Sequence, residues 1–163
     1  MPSSAGTPPL KPGMLSGLRV VECADETAEY CGLLLAGLGA EVIKIEPLGG
    51  NATRRIGPFL DDAPHPDRSI YFWAYNRGKK SVVLDAGTGA GSATFLDLLD
   101  GADIVLEAGG DLLRQATGLD RAALLTRFPS LVFARMTPFG DHGPWKNYKG
   151  SDLVHLAQVA VDR

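Results

Sequence analysis

Cysteine is nearly absent from this chain. Cys23 and Cys31 stand eight positions apart, with no CxxC and no histidine nearby. That excludes a zinc ribbon or a redox CxxC pair, and both side chains read as buried thiols of a reducing, cytoplasmic compartment. Long apolar runs are missing as well; none reaches the ~18 residues that a membrane span requires. An excess of positive charge is also lacking. Lys plus Arg is 16 against 19 for Asp plus Glu, a formal net charge of −3. Bulk charge therefore recruits neither nucleic acid nor an anionic membrane, and an anionic ligand would need a local basic pocket. Histidine occurs at His65, His142 and His155 only, in unrelated contexts that read as structural or solvated. There is no Walker loop, no GxSxG and no zinc-ligand spacing. Gly37-Leu38-Gly39 follows a helical pattern instead of a strand, with no third glycine at the right distance. It reads as a helix stop, not a dinucleotide fingerprint.

What is present is the material of one folded domain. The chain has 163 residues, 45% of them hydrophobic, which fits a single globular unit. Residues 1–14 are proline-rich and lack the basic start and apolar middle of a signal peptide, so they read as a flexible leader. From residue 15 the pattern alternates. Leu18–Cys23 predicts a strand; Ala28, Cys31, Leu34, Leu35 and Leu38 recur at helical spacing; Glu41–Glu46 predicts a second, β-branched strand. Strand, helix, strand within thirty residues is a βαβ unit, whose strands lie parallel. Further strands are expected at Lys80–Leu84, Ala102–Leu106 and Leu131–Met136. Helices are expected at Gly91–Leu99, Leu112–Ala116 and Arg121–Phe128. The whole predicts an α/β fold, a Rossmann-like open, mostly parallel sheet flanked by helices.

Two segments stand out. Pro47–Arg68 is rich in Gly, Pro, Asp and Arg and is long for a loop, and loops of that length are usually functional or flexible. A last helix, capped by Ser151 and starting at Asp152, is apolar almost all round, which demands burial on several sides. It runs to Arg163 with no stop signal and reads as cut in mid-element.

Asn76-Arg77-Gly78-Lys79-Lys80 brings three cations together before a strand. Such a turn can hold a phosphate, with Arg as a fork and Lys as a point charge. It can equally be a solvated turn.

Five blocks taken together resemble the family III CoA-transferases. They are Leu15-Ser16-Gly17-Leu18-Arg19-Val20-Val21-Glu22, Gly37 to Pro47, Asn76 to Asp85, Asp103-Ile104-Val105-Leu106-Glu107, and Phe139-Gly140 with Gly143-Pro144. They follow in the family's order and spacing over about Leu15 to Gln158. The family contains formyl-CoA and carnitine CoA-transferases and the α-methylacyl-CoA racemases. The resemblance implies a Rossmann-like N-terminal domain over residues 15–163, a second smaller domain, and two chains interlocked as a homodimer. It implies coenzyme A as the ligand, in the form of an acyl-CoA, and a carboxylic acid as its partner substrate, with no metal. In the transferases an Asp carboxylate takes up the acyl group, which is nucleophilic catalysis. In the family that Asp falls in a Gly-Asp segment, expected here beyond Arg163, so no catalytic residue is assigned within the chain.

The pocket implied by the resemblance comprises Asp25, Thr27 and Ala28 after the first strand, Asn76, Arg77, Lys79 and Lys80 at the third, and Glu107, Ala108 and Gly109 after the fourth. Arg135 and Thr137 join it at the end of the fifth, where open α/β sheets place ligands. The chain departs from the family in places. Asp25-Glu26-Thr27 replaces the usual Gly-Pro, and Glu26 and Glu29 would repel a phosphate. Ala108-Gly109-Gly110 stands where Asn, Phe and Arg are usual. Ser151 stands where racemases carry a His, and a neutral Ser cannot take an α-proton. The reading is an acyl-CoA:carboxylate CoA-transferase. The alternatives are a non-catalytic structural half of a tandem member, an acyl-CoA isomerase, or an unrelated nucleotide-binding module.

Overall fold

The computed structural model describes residues 13–161; almost all of the expected leader lies outside them. Five strands form one sheet: β1 (Arg19–Cys23), β2 (Glu41–Glu46), β3 (Lys80–Val83), β4 (Ile104–Ala108) and β5 (Val132–Met136). The order is β3-β2-β1-β4-β5 and every pairing is parallel. The expected α/β Rossmann-like sheet is therefore present. The strands are β-branched runs, and β1 is buried on both faces, as a central parallel strand should be. The order reverses direction between β1 and β4, which opens a crevice at the carboxyl ends of those two strands.

The helices are α1 (Glu29–Gly37), α2 (Ile70–Asn76), α3 (Gly89–Asp100), α4 (Leu112–Thr117), α5 (Arg121–Arg127) and α6 (Asp152–Val161). Several begin at residues whose side chains satisfy an orphan N–H: Ser69 Oγ accepts from Phe72 N, Thr88 Oγ1 from Gly91 N and Asp120 Oδ1 from Ala123 N. The period of two along each strand sorts the core. Val21, Cys23, Ile43, Ile45 and Val105 meet Phe95, Leu99, Leu113, Leu124 and Phe128 on the α3–α5 face. Val20, Val42 and Leu106 meet Cys31, Leu35 and Ala36 of α1 on the other. Cys23 is buried and Cys31 half-buried, and both are free thiols.

The α1 face also carries charge. Glu22 and Lys44 are register partners on β1 and β2 and both point under α1. Lys44 Nζ lies 3.0 Å from Glu22 Oε1 and 2.8 Å from Glu29 Oε1. Lys79 Nζ reaches the same cluster, 2.8 Å from Glu22 Oε2. Two lysines and two glutamates thus neutralise one another out of water, as buried charges must. The long segment after β2 is tied to this cluster. Thr53 Oγ1 donates to Glu29 Oε1 at 2.7 Å, and Arg54 grips Glu46 with Nε and Nη2 at 2.6 and 2.7 Å. On α6, Leu153 and Leu156 are exposed. None of the described helices is long and apolar enough to cross a membrane.

Candidate functional site

Two clefts open at the carboxyl edge of the sheet and share Asp25, Glu26, Gly109, Gly110 and Asp111. The first, about 450 Å³, has an apolar floor of Cys23, Ala24, Ile45 and Ala108, closed laterally by Pro47 and Asn51. The second, about 510 Å³, has Arg135, Met136, Thr137 and Pro138 on one wall and Lys146 and Lys149 on another. Asp25, Glu26 and Asp111 line both clefts, but Arg135, Lys146 and Lys149 offset them in the second, whereas no cation lines the first. An anionic group is favoured on the lysine side and a neutral one over the apolar floor.

The two loops at the order reversal are locked together by shape. A Cβ on Gly109 would lie 1.7 Å from Asp25 Oδ2, and Gly109 has a φ of +77°. Only glycine fits there, on both counts. Asp25 Oδ1 accepts from Thr27 N at 3.0 Å, which closes the β1–α1 turn. The carbonyl of Ala24 accepts from Lys44 Nζ at 2.8 Å and from Asn51 Nδ2 at 2.9 Å. The buried charge cluster therefore holds one wall of the first cleft.

Across the sheet, Glu107 and Arg135 are register partners on β4 and β5. Arg135 Nε lies 3.4 Å from Glu107 Oε2, Nη2 lies 2.9 Å from Asp111 Oδ1, and Nη1 lies 3.5 Å from Asp141 Oδ1. Burial pushes the Glu107 carboxyl above its ordinary value, although Arg135 and the Leu113 amide act against that. Burial, with Glu107 and Glu22 adding to it, also raises the Cys23 thiol far above its ordinary value. That thiol is protonated and inert at neutral pH.

The residues expected at the site divide into two groups. Asp25, Thr27, Ala108, Gly109, Arg135 and Thr137 line the two clefts. Glu107 and Arg135 also line an adjoining pocket of about 240 Å³. Ala28 is buried against Ala24 and Ala108 and supports the loop from beneath. The segment from Asn76 to Lys80 is elsewhere. It leads into β3, so it sits at the opposite, amino edge of the sheet. Lys79 Nζ is engaged by Glu22, by the Glu29 carbonyl at 2.9 Å and by Asn76 Oδ1 at 3.0 Å, and its side chain is 2% exposed. Lys80 pairs with Glu41, and Arg77 Nη1 donates to the Ala74 carbonyl at 3.1 Å. In the expected phosphate-holding turn, Lys79 is thus in a buried ion pair and Lys80 in a surface one, while Arg77 and Gly78 line a separate groove of about 510 Å³ with Tyr30 and Leu34. The Glu29 carboxylate faces Lys44 and Thr53, not the cleft.

Two of the three cations that line the second cleft, Lys146 and Lys149, are not singled out from sequence. Their only signal is position, in a Gly/Pro-rich loop after the fifth strand. Phe139 organises that loop, with its ring 6.1 Å from Trp145, 6.3 Å from Tyr148 and 5.3 Å from His155. Among the described residues no group of three or more His, Cys, Asp or Glu is placed to hold a metal ion.

Comparison with known proteins agrees with this architecture. The family described as CoA-transferase family III matches residues 15–161. A probable fatty acyl-CoA transferase of Mycobacterium tuberculosis is 40% identical over 154 residues, which is 94% of this chain and 38% of that protein. A succinate–glutarate CoA-transferase of Agrobacterium fabrum is 40% identical over 144 residues, 86% of this chain and 36% of that one. Among solved structures, a CAIB/BAIF family protein from Brucella suis superposes with a TM-score of 0.79 at 33% identity, covering 91% of this chain and 39% of that one. A hypothetical protein from M. tuberculosis gives 0.78 at 38% identity, covering 91% of this chain and 40% of that one. The chain spans about two fifths of the length of these proteins.

Proposed function

The chain belongs to the CoA-transferase family III, and from that premise we propose that it is the CoA-binding part of an enzyme that moves CoA from an acyl-CoA to a carboxylic acid. The observation that carries this reading is the polarised crevice at the carboxyl edge, with Lys146 and Lys149 facing an apolar floor across Asp25 and Gly109. Phosphate groups suit the lysine side; a neutral portion of the ligand suits the floor of Ala24, Ile45 and Ala108. Two of the carboxylates near the crevice have structural tasks, and the family resemblance places the nucleophile in none of them. Asp25 closes a turn, and Glu107 is buried beside Arg135. We therefore assign the nucleophilic carboxylate to a segment outside these residues. The reading includes a cytoplasmic location and a homodimer; the exposed apolar side chains Tyr30 and Leu34 on α1 and Leu38 at its C-terminal cap support the dimer.

A non-catalytic half is the second reading, favoured by the missing side chains at Ala108, Gly109 and Gly110. Calorimetric titration of CoA separates the two. Each charge-assisted contact contributes about 1.5–3 kcal/mol, so Lys146→Ala with Lys149→Ala is expected to weaken CoA binding by roughly a hundredfold or more, and Lys80→Ala by nothing measurable. No CoA binding at all supports the non-catalytic half. Binding lost with Lys80→Ala and kept in the double variant contradicts the placement of the site.

A further inference from the structure

Arg135 sits among three carboxylates. Each of its three guanidinium nitrogens faces a different carboxylate, Glu107, Asp111 or Asp141. Three negative charges around one arginine exceed what it can neutralise, and Arg121, 3.6 Å from Asp141, offsets only one more. Around an arginine that lines a ligand cleft in such company, the surplus negative charge opposes a ligand anion while all three carboxylates stay close and ionised. The three differ in their freedom to move away. The Asp111 side chain is 56% exposed and the Asp141 side chain 31%, whereas that of Glu107 is 5% exposed. Glu107 is further fixed by the Leu113 amide, which donates to Oε1 at 3.4 Å. Asp111 also precedes α4 without a side-chain cap bond, so it has a use for its carboxylate once released.

We propose that Arg135 is a guarded oxyanion receptor: a phosphate or sulfate-like group displaces Asp111 and Asp141 from it, Glu107 stays, and Glu107 takes up a proton as the anion binds. The proposal rests on the crevice being the ligand site, and it concerns how that site admits an anion. A new negative charge beside a buried carboxylate favours its neutral form. Burial already holds the Glu107 carboxyl above its ordinary value, and a bound anion acts in the same direction. The groups facing Glu107 are Arg135 from β5, the neutral Cys23 thiol from β1, Asp111 and Arg114 at α4, and Asp120 and Arg121 at α5, with Asp141 from the loop after β5. His142 lines the neighbouring pocket with Arg135 and serves as the control position.

The test uses sulfate, which stays fully ionised between pH 8 and pH 5, at constant ionic strength, with the Arg135 Nε–H signal followed by NMR. In the unmodified chain, affinity is expected to rise by roughly fivefold or more as the pH falls. Calorimetric heats in two buffers of different ionisation enthalpy should report proton uptake. Glu107→Gln should bind sulfate without that pH dependence, and His142→Asn should keep it. Asp111→Asn with Asp141→Asn should bind more tightly than the unmodified chain at pH 8. A flat pH profile, a profile that follows His142, no gain in the double variant, or no sulfate at Arg135 overturns the proposal. If sulfate fails at Arg135 while CoA binds among the cleft residues, the guarded receptor falls and the CoA reading stands. If sulfate behaves as described and CoA does not bind, the reverse holds.

Discussion

Glu22 Oε2 occupies the space that a side chain on Gly32 would need: a Cβ there would lie 1.6 Å from that oxygen. In an ordinary helix, replacing glycine with alanine stabilises by up to about 1 kcal/mol. On α1 the sign is expected to reverse, because Lys44 and Lys79 pin the Glu22 carboxylate from two sides. Gly32→Ala should lower the Tm in a thermal melt. A Tm equal to or above that of the unmodified chain would show that the carboxylate can move aside.

Lys79 is expected to matter for stability and not for ligand binding. Lys79→Met leaves Lys44 alone against Glu22 and Glu29 under α1. Removing one member of a buried ion cluster costs about 3–5 kcal/mol, readable in a denaturant titration. CoA affinity of the folded protein should be unchanged. A loss of affinity without a loss of stability would return Lys79 to the ligand site.

Glu46 sets an acid limit on the fold. Burial raises its carboxyl, but Arg54, Ser81 and the Asn51 amide together bring it down from 4.5 to about 2. A folded value below the unfolded one gives stability that is complete above the ordinary carboxylate range and is lost as the pH falls from about 4.5 towards 2. Glu46→Gln should be less stable at neutral pH and should lose less on acidification through that window. Parallel stability–pH curves for the two proteins would contradict this assignment.

The strands were legible because β-branched runs between turn residues leave little choice, and alternation with helical patterns gave the parallel Rossmann-like sheet. α2 leaves little helical signal in the sequence. Tyr71, Phe72, Trp73 and Tyr75 carry no clear helical stripe over seven residues, and the capping side chain of Ser69 was the signal available. At the site, Arg135 and Thr137 follow from the rule that ligands sit at carboxyl ends of strands, and Asp25 and Gly109 from the family resemblance. The burial of Lys79 in the basic turn was not legible, because nearness in sequence does not say what a side chain meets across the sheet. The partner of Lys79, Glu22, is 57 positions away. The pairing of Glu107 with Arg135 likewise required knowing that β4 and β5 are neighbours in register.

Gly109 is expected to be irreplaceable. Alanine there meets a left-handed backbone that costs an L-residue roughly 1–2 kcal/mol, and its Cβ would collide with Asp25. Gly109→Ala should lower stability and also alter the crevice, seen as amide shifts at Thr27 and Ala108. Shifts confined to residue 109 and its chain neighbours would show that the two loops are not locked together.

The central claim is that CoA binds at the carboxyl edge of the sheet, not at the amino edge where the basic turn lies. Amide chemical-shift mapping during a CoA titration tests it most directly. The account predicts saturable shifts at Asp25, Gly109, Gly110, Lys146 and Lys149, with Arg77 to Lys80 unmoved. Shifts centred on Arg77 to Lys80, with the crevice residues silent, would contradict it.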